Sequence, residues 1–459
     1  MYAYRKMLLV LGTAMVCSLP VHSQQKAIHI RDLPGLVQSS QPQMKSYEEQ
    51  VKGSRYGIAL AQNTLLPEVN VGYQTGYATY NNITGMSYPG LILPISGPPS
   101  AGNRYDPVPG TALGALIKWN PLTFGQRQAA VEKAAALYRL AGSSYNEALF
   151  RQQYTAIYVY LDAVFLQKLM QTHQANIART RTGLEQSLVL AREGIRPGID
   201  TTQFQAALAQ ATTDLLITRR QYYTQVSELT RLTGLPDSPN NIQLSDTSLM
   251  GQLPSATDTI QGFSAHPLLR FYQTKKEVSE STLKEIQRTW RPKLDIYANA
   301  YARGSGVAAD GSVHKADGWS LSRSNYAAGI QLSFPILQFS EVRIKKKQYS
   351  ALIKADEAQL SQITLDLQKQ QATARFNYDQ NILVLQQTAV RSQAASFAYE
   401  GLQLSYTSGL IDFTRLTQGQ YDLLKAETDE AAAFLQVWRS LLDIAVSGGQ
   451  LTTFTDNLK

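Results

Sequence analysis

The sequence predicts an α+β chain in which one unit is used twice, each copy joining amphipathic strands of a membrane β-barrel to a long α-helical coiled-coil hairpin. Three observations carry this. Pro42 and Pro67 recur 225 residues later as Pro267 and Pro292, and Phe124-Gly125, Glu185 and Gly194 recur 215 residues later as Phe339-Ser340, Glu400 and Gly409. Each copy also contains two stretches of strict period-2 alternation. Behind each pair of strands runs a proline-free helical pattern of about 70 residues. The two offsets differ by ten residues, a loss assigned to the Pro/Gly-rich tract between Asn81 and Gly110, because surface loops change length at small entropic cost.

Residues 1–23 read as a secretory signal peptide: Arg5 and Lys6 open it, Met7 to Leu19 is apolar, and Val21-His22-Ser23 precedes a cut before Gln24. That apolar run is about 13 residues, short of the roughly 20 a spanning helix needs. No other stretch approaches it, so no transmembrane helix is expected. Cys17, the only cysteine, follows Val16, where a lipoprotein cleavage site would want a small residue, which argues against lipidation. Cleavage at Ser23 leaves a chain without cysteine, excluding disulfides, thiol catalysis and cysteine-based metal sites.

Charged residues make up only 17%, and the net charge of +8 is thinly spread, with Lys345-Lys346-Lys347 its one compact run. Without a groove-reading motif or aromatic-basic interleaving, that run suits a solvated helix start near a membrane surface rather than nucleic acid. The five histidines, His22, His29, His173, His266 and His314, have no metal-ligand spacing, and no nucleophile elbow or phosphate loop is visible. His173 reads as a polar seam residue and His266 as a helix-start residue. An enzyme, a metal site and a cofactor site are therefore not expected.

The first repeat occupies 24–235. From Pro42 to about Thr64 the pattern is helical, and then Val69, Val71, Tyr73, Thr75 and Tyr77 alternate with Glu68, Asn70, Gly72, Gln74 and Gly76. Leu113, Ala115, Ile117 and Trp119 form the second strand. The second repeat, 264–447, matches with Leu294, Ile296, Ala298 and Ala300, then Tyr326, Ala328, Ile330, Leu332 and Phe334. Strands of about 9 to 12 residues with one apolar and one polar face meet the length and patterning of a tilted barrel wall. Alternation alone fits equally an antiparallel sheet on a soluble core. The helical runs decide between them, because about 70 residues at 1.5 Å each span roughly 100 Å, more than a compact domain accommodates.

Those runs carry Tyr154, Tyr158, Leu161, Phe165, Leu169 and Thr172 in copy one and Ile353, Leu360, Ile363, Leu367, Ala374, Tyr378 and Leu385 in copy two. Breakers follow at Gly194-Ile195-Arg196-Pro197-Gly198 and at Gly409, with Asp200 and Asp412 as N-caps for returning helices. The returning stripes are Phe204, Leu208, Ala211, Leu215, Thr218, Tyr222 and Leu229, and Phe413, Leu416, Gln420, Leu423, Glu427, Phe434, Val437, Leu441 and Ile444. So polar a seam needs neighbours, and assembly into a ring or tube supplies them. Residues 236–263 read as a connector with one short helix. The tail, 448–459, is short and polar, either unordered or packed into the same outer belt.

In this order, twice, the motifs resemble the outer membrane efflux channels typified by TolC over nearly the whole mature chain. They are Leu65-Leu66-Pro67, Asn120-Pro121-Leu122, Phe124-Gly125, Arg291-Pro292, Phe334-Pro335-Ile336 and the tip Tyr406-Thr407-Ser408-Gly409-Leu410-Ile411-Asp412-Phe413. The resemblance implies a homotrimer whose protomers each give four strands to a 12-stranded barrel in the outer membrane of a Gram-negative bacterium. A helical tunnel through the periplasm continues it. Implied partners are outer membrane lipid, a periplasmic adaptor (membrane fusion) protein and an inner membrane pump of RND or ABC type, making the chain a passive exit duct for tripartite efflux or type I secretion. In the family the closed tip is held by Asp, Tyr and Arg links, which places Asp200 and Tyr406 as links and Asp412 in an acidic ring, with Gly194, Gly198 and Gly409 at the tip turns. Arg415 stands where a second ring acid would fall, and the copy-two tip is three residues shorter. Arg415 is thus also a candidate partner for an Asp. The competing reading is a periplasmic coiled-coil adaptor or scaffold outside the membrane, which would carry one helical hairpin rather than two.

Overall fold

The structure is a computed structural model that describes residues 26–81, 101–235, 239–254 and 262–458. The expected signal peptide, Cys17 and most of the loop tract assigned the length difference lie outside the described residues. In chain order the elements are β1 (Lys26–Ile28), α1 (Leu33–Ser40), α2 (Pro42–Asn63), β2 (Glu68–Ala78), β3 (Val108–Leu122), α3 (Gln126–Arg192), α4 (Ile199–Thr233), β4 (Ile242–Leu244), α5 (Pro267–Ile286), β5 (Lys293–Ser305), β6 (Arg323–Ser333), α6 (Gln338–Thr407), α7 (Phe413–Gly448) and α8 (Thr452–Thr455).

The four long strands form one antiparallel sheet in the order β2-β3-β5-β6, leaving β2 and β6 as edges. The register aligns the apolar alternation of all four. Val69 faces Ile117, then Ala298, then Ala328, and Val71 faces Ala115, then Ala300, then Tyr326. One face of the sheet is thus apolar across its width and exposed, with Val71 at 72% and Ile330 at 71%. At the far end a 3-10 turn, Lys315–Trp319, lies on that same face. A Cβ on Gly304 would sit 1.6 Å from the Ser320 carbonyl oxygen, so only glycine admits the crossing. Trp319 packs its ring edge-on to Tyr77 there, 5.4 Å between centroids.

At the opposite end each sheet half feeds a long helix. Phe124 (φ 48°) and Gly125 (φ 87°) turn the chain from β3 into α3. This turn is held by the Arg288 and Arg291 guanidiniums, which donate to the carbonyls of Gly125 at 2.9 Å and Phe124 at 2.7 Å. α3 and α6 run for 67 and 70 residues and fold back as α4 and α7; α2 packs on α3, and α5 on α3 and α6. Leu367, Ala374, Tyr378 and Leu385 of the α6 stripe are buried. In α3 the expected stripe is mostly half-buried, and Ile157, Tyr160, Leu161 and Val164 fill the core.

That core is a belt around the middle of the helices. β1 pairs in parallel with β4, so the start of the described chain and the connector meet there. Asp246 ties them, accepting from the Ile30 N–H at 2.8 Å and the Tyr160 hydroxyl at 2.6 Å. Among its described residues the connector, expected to carry one short helix, makes 3-10 turns on either side of β4. The tail is packed rather than loose: Phe454 is fully buried, 6.0 Å from the Trp438 ring, and the Trp438 indole donates to the Leu249 carbonyl at 2.8 Å. His266 caps α5 through Nδ1, which accepts from the Leu268 N–H, while Nε2 donates to the Val446 carbonyl at 3.1 Å. Burial lowers its pKa, against the opposing pull of that carbonyl.

Candidate functional site at the hairpin tips

Both hairpins end in a left-handed residue, Gly194 at φ 71° and Gly409 at φ 77°. After each, the chain wraps back: Ile195 N–H donates to the Leu190 carbonyl and Leu410 N–H to the Ser405 carbonyl, both at 2.9 Å. These are glycine-terminated helix ends, where an L side chain at positive φ would be strained. Gly198, by contrast, has ordinary helical backbone at φ −62°.

The two tips are locked to each other. The Tyr406 hydroxyl donates to Asp200 Oδ2 at 3.2 Å, with Tyr406 fully buried and Asp200 7% exposed. Arg196 reaches across from the first tip, lays its guanidinium 5.1 Å from the Tyr406 ring centroid and donates to the Ile411 carbonyl. Beneath them the Phe204 ring meets Tyr406 at 6.1 Å and Phe413 at 4.7 Å, both edge-on. Phe204 fits because α3 offers Gly183, where a Cβ would stand 2.4 Å from Phe204 Cε1. Burial first, and then the Asp200 carboxylate, push the Tyr406 phenol up to about 12, with Arg196 opposing. The phenol therefore stays a donor.

Asp200 and Tyr406, expected as links, are in contact. Asp412 N-caps α7 as expected, accepting from the Arg415 backbone N–H at 2.9 Å, whereas α4 begins at Ile199 behind Gly198, so Asp200 stands in its first turn rather than at its cap and is turned to Tyr406. The Arg415 guanidinium is exposed and makes no ion pair among the described residues. Sequence reasoning missed Arg196, whose place in a Gly/Pro breaker explained it without a partner. It also passed over the polar zipper joining α3 to α7 above the tips. There the Gln420 amide donates to Asn176 at 2.8 Å and Thr180 at 2.5 Å, and Arg179 grips Glu427 through both oxygens at 3.0 and 2.8 Å. A signal was present, because Gln420 and Glu427 stand inside an apolar stripe, where a polar group requires a partner.

A β-sheet that continues into paired long helical hairpins is the architecture of outer membrane channel proteins. The chain has this fold. It is similar to the outer membrane protein VceC of Vibrio cholerae, with a TM-score of 0.73 and 13% identity over 92% of this chain and 96% of that one. The Campylobacter jejuni CmeC outer membrane channel superposes at 0.72 with 12% identity, covering 92% and 85%. The open-state Neisseria gonorrhoeae MtrE outer membrane channel gives 0.67 with 13% identity, covering 92% and 89%. No protein-family model and no curated protein matches the chain by sequence.

Proposed function

We propose that the chain is the outer membrane channel of a tripartite efflux or type I secretion system, a passive exit duct that carries out no chemistry. One observation supports this above the others: a four-stranded sheet whose apolar face is in register across all strands, exposed, and flanked by two unpaired edges. Water penalises such a face, and a bilayer penalises such edges, because unpaired backbone groups find no partner in lipid. Closing three copies edge to edge removes both costs and gives the 12-stranded barrel expected of a homotrimer. No described helix is long and apolar enough to cross a membrane, so the sheet is the element that meets outer membrane lipid. An adaptor kept outside the membrane would have no use for this face.

The hairpins then continue the passage into the periplasm, with tips toward an adaptor and an RND or ABC inner membrane pump. The gate consists of the Asp200–Tyr406 bond and the Arg196 clamp, and it opens when the tips part. Asp412 and Arg415 lie on the exposed tip surface at the entrance, where cargo passes. Residues 24–235 and 264–447 act as the two repeats, joined by 236–263 and closed by 448–459. Fractionation of the full chain tests this: a heat-resistant, detergent-dependent trimer in the outer membrane is expected, and a soluble periplasmic monomer would overturn the proposal.

A further inference from the structure

All four long strands meet the helices at one end of the sheet, and the fourteen residues that adjoin each strand there are 54–67, 123–136, 279–292 and 334–347. Together they hold ten Lys and Arg against four Asp and Glu, an excess of six in a chain whose whole excess is eight. The segments that join the strands at the other end, 79–107 and 306–322, hold two against three. Positive charge is therefore gathered into one collar. Its largest part is the start of α6, where Arg343, Lys345, Lys346 and Lys347 are all exposed, and Lys345 pairs with Glu341. Arg127, Arg288 and Arg291 donate to carbonyls of the β3–α3 junction, neutral partners that fix the guanidiniums without cancelling their charge.

Apolar side chains crowd the same level. Leu65, Leu66, Phe334, Ile336 and Leu337 are exposed, and the Trp290 ring lies 5.3 Å from that of Phe339. An aromatic and aliphatic girdle followed at once by a cationic one suits the boundary between hydrocarbon and anionic headgroups. The depth fits. Arg343 to Lys347 lie about 8–14 Å along α6 from its start at Gln338. A headgroup layer is roughly 5–8 Å deep, and long cationic side chains reach back toward it. Arg343 and Lys347 also share one face of α6 four residues apart, a like-charged spacing that weakens a helix in water. Anionic phosphates remove that repulsion.

We infer that the collar binds anionic phospholipid headgroups of the leaflet facing the periplasm, with Arg343, Lys346 and Lys347 as its main phosphate contacts. This rests on the channel reading, in which the apolar face of the sheet lies in lipid, and extends it from a contact with hydrocarbon to a choice among headgroups. Charge and depth act together, since the apolar girdle sets the level at which the cations meet phosphate.

Spin-labelled phosphatidylglycerol and phosphatidylcholine in proteoliposomes of the full-length protein test the inference. Phosphatidylglycerol should associate about threefold more strongly than phosphatidylcholine at low salt, and the ratio should fall toward one at about 1 M potassium chloride. Arg343→Gln combined with Lys346→Gln and Lys347→Gln should lose most of the preference while still forming the trimer and conducting. Lys369→Gln combined with Lys425→Gln, which removes cations farther along the helices, should keep it. Equal association of the two lipids with the wild type, or equal loss in both variants, overturns the collar and leaves the channel reading intact. So does a wild type without lipid preference that binds a single-stranded oligonucleotide, which would assign the charge to a soluble polyanion. A protein that immobilises neither lipid overturns both.

Discussion

The Tyr406 phenol, held above its ordinary pKa by burial and the Asp200 carboxylate, links the two hairpins only while it carries its proton. Because its folded pKa of about 12 lies above the value near 10 of an unfolded chain, the stabilisation is complete below about pH 10 and is lost as the pH climbs toward 12. Single-channel conductance should therefore rise over that alkaline window and stay flat from neutral pH to its edge. Tyr406→Phe removes a bond of about 1 kcal/mol. It should increase open probability several-fold at neutral pH and abolish the alkaline transition; a variant as closed as the wild type would take the bond out of the gate. Asp200 and Tyr406 were legible through the resemblance at the tips, although the expected cap role of Asp200 is not the one it plays, since α4 is capped at Gly198. Arg196 was not, since a residue between Gly194 and Pro197 is already accounted for by the turn, and only the fold brings Ile411 and the Tyr406 ring within its reach.

Helices and strands were more legible than the packing between them. Period-2 and heptad patterns placed the four long strands and the helical hairpins, because these patterns follow from backbone geometry. Three-residue strands such as β1 and β4 leave no period to read, and the apolar residues of the tail are too few to announce that Phe454 closes the belt. Gly183 likewise hides in a helical run, though it sets how closely α4 approaches α3. Gly183→Ala must displace the Phe204 ring and should cost about 1–3 kcal/mol by overpacking, seen as a lower unfolding midpoint with a leakier tip. A second test lies where α7 meets α3. Arg439 pairs with Asp162 and lies 4.1 Å from the Tyr158 ring centroid, with Asp443 one turn further on. Burial pushes both carboxylates up while Arg439 pulls them down. Arg439→Met would strand two half-buried carboxylates and should cost about 1–3 kcal/mol at neutral pH. Since raised carboxylate pKa values favour the folded state as pH falls, part of that loss should return on mild acidification; Asp443→Asn should be tolerated. Denaturant unfolding at several pH values measures all three, and equal losses for Arg439→Met and Asp443→Asn would refute this division.

The whole molecule is a set of partly satisfied surfaces. Its belt is a complete core within one protomer, yet the sheet exposes an apolar face and two edges, and Leu337 just before α6 and Phe397 within it are 90% and 80% exposed. On the proposed channel reading these surfaces are completed from outside, by lipid on the sheet and by other copies along the helices. The two faces of β2 separate this account from a soluble sheet. Val71 points to the apolar face and its neighbour Asn70 to the polar one, on the same strand and at almost the same height. Val71→Arg would place a charge against hydrocarbon and should cost about 2–4 kcal/mol near the bilayer midplane, sharply reducing the heat-resistant trimer recovered from outer membranes. Asn70→Arg would place the same charge in a watery lumen and should leave the yield unchanged. If both substitutions are tolerated, the apolar face does not meet lipid; if both are rejected, the polar face does not line a passage.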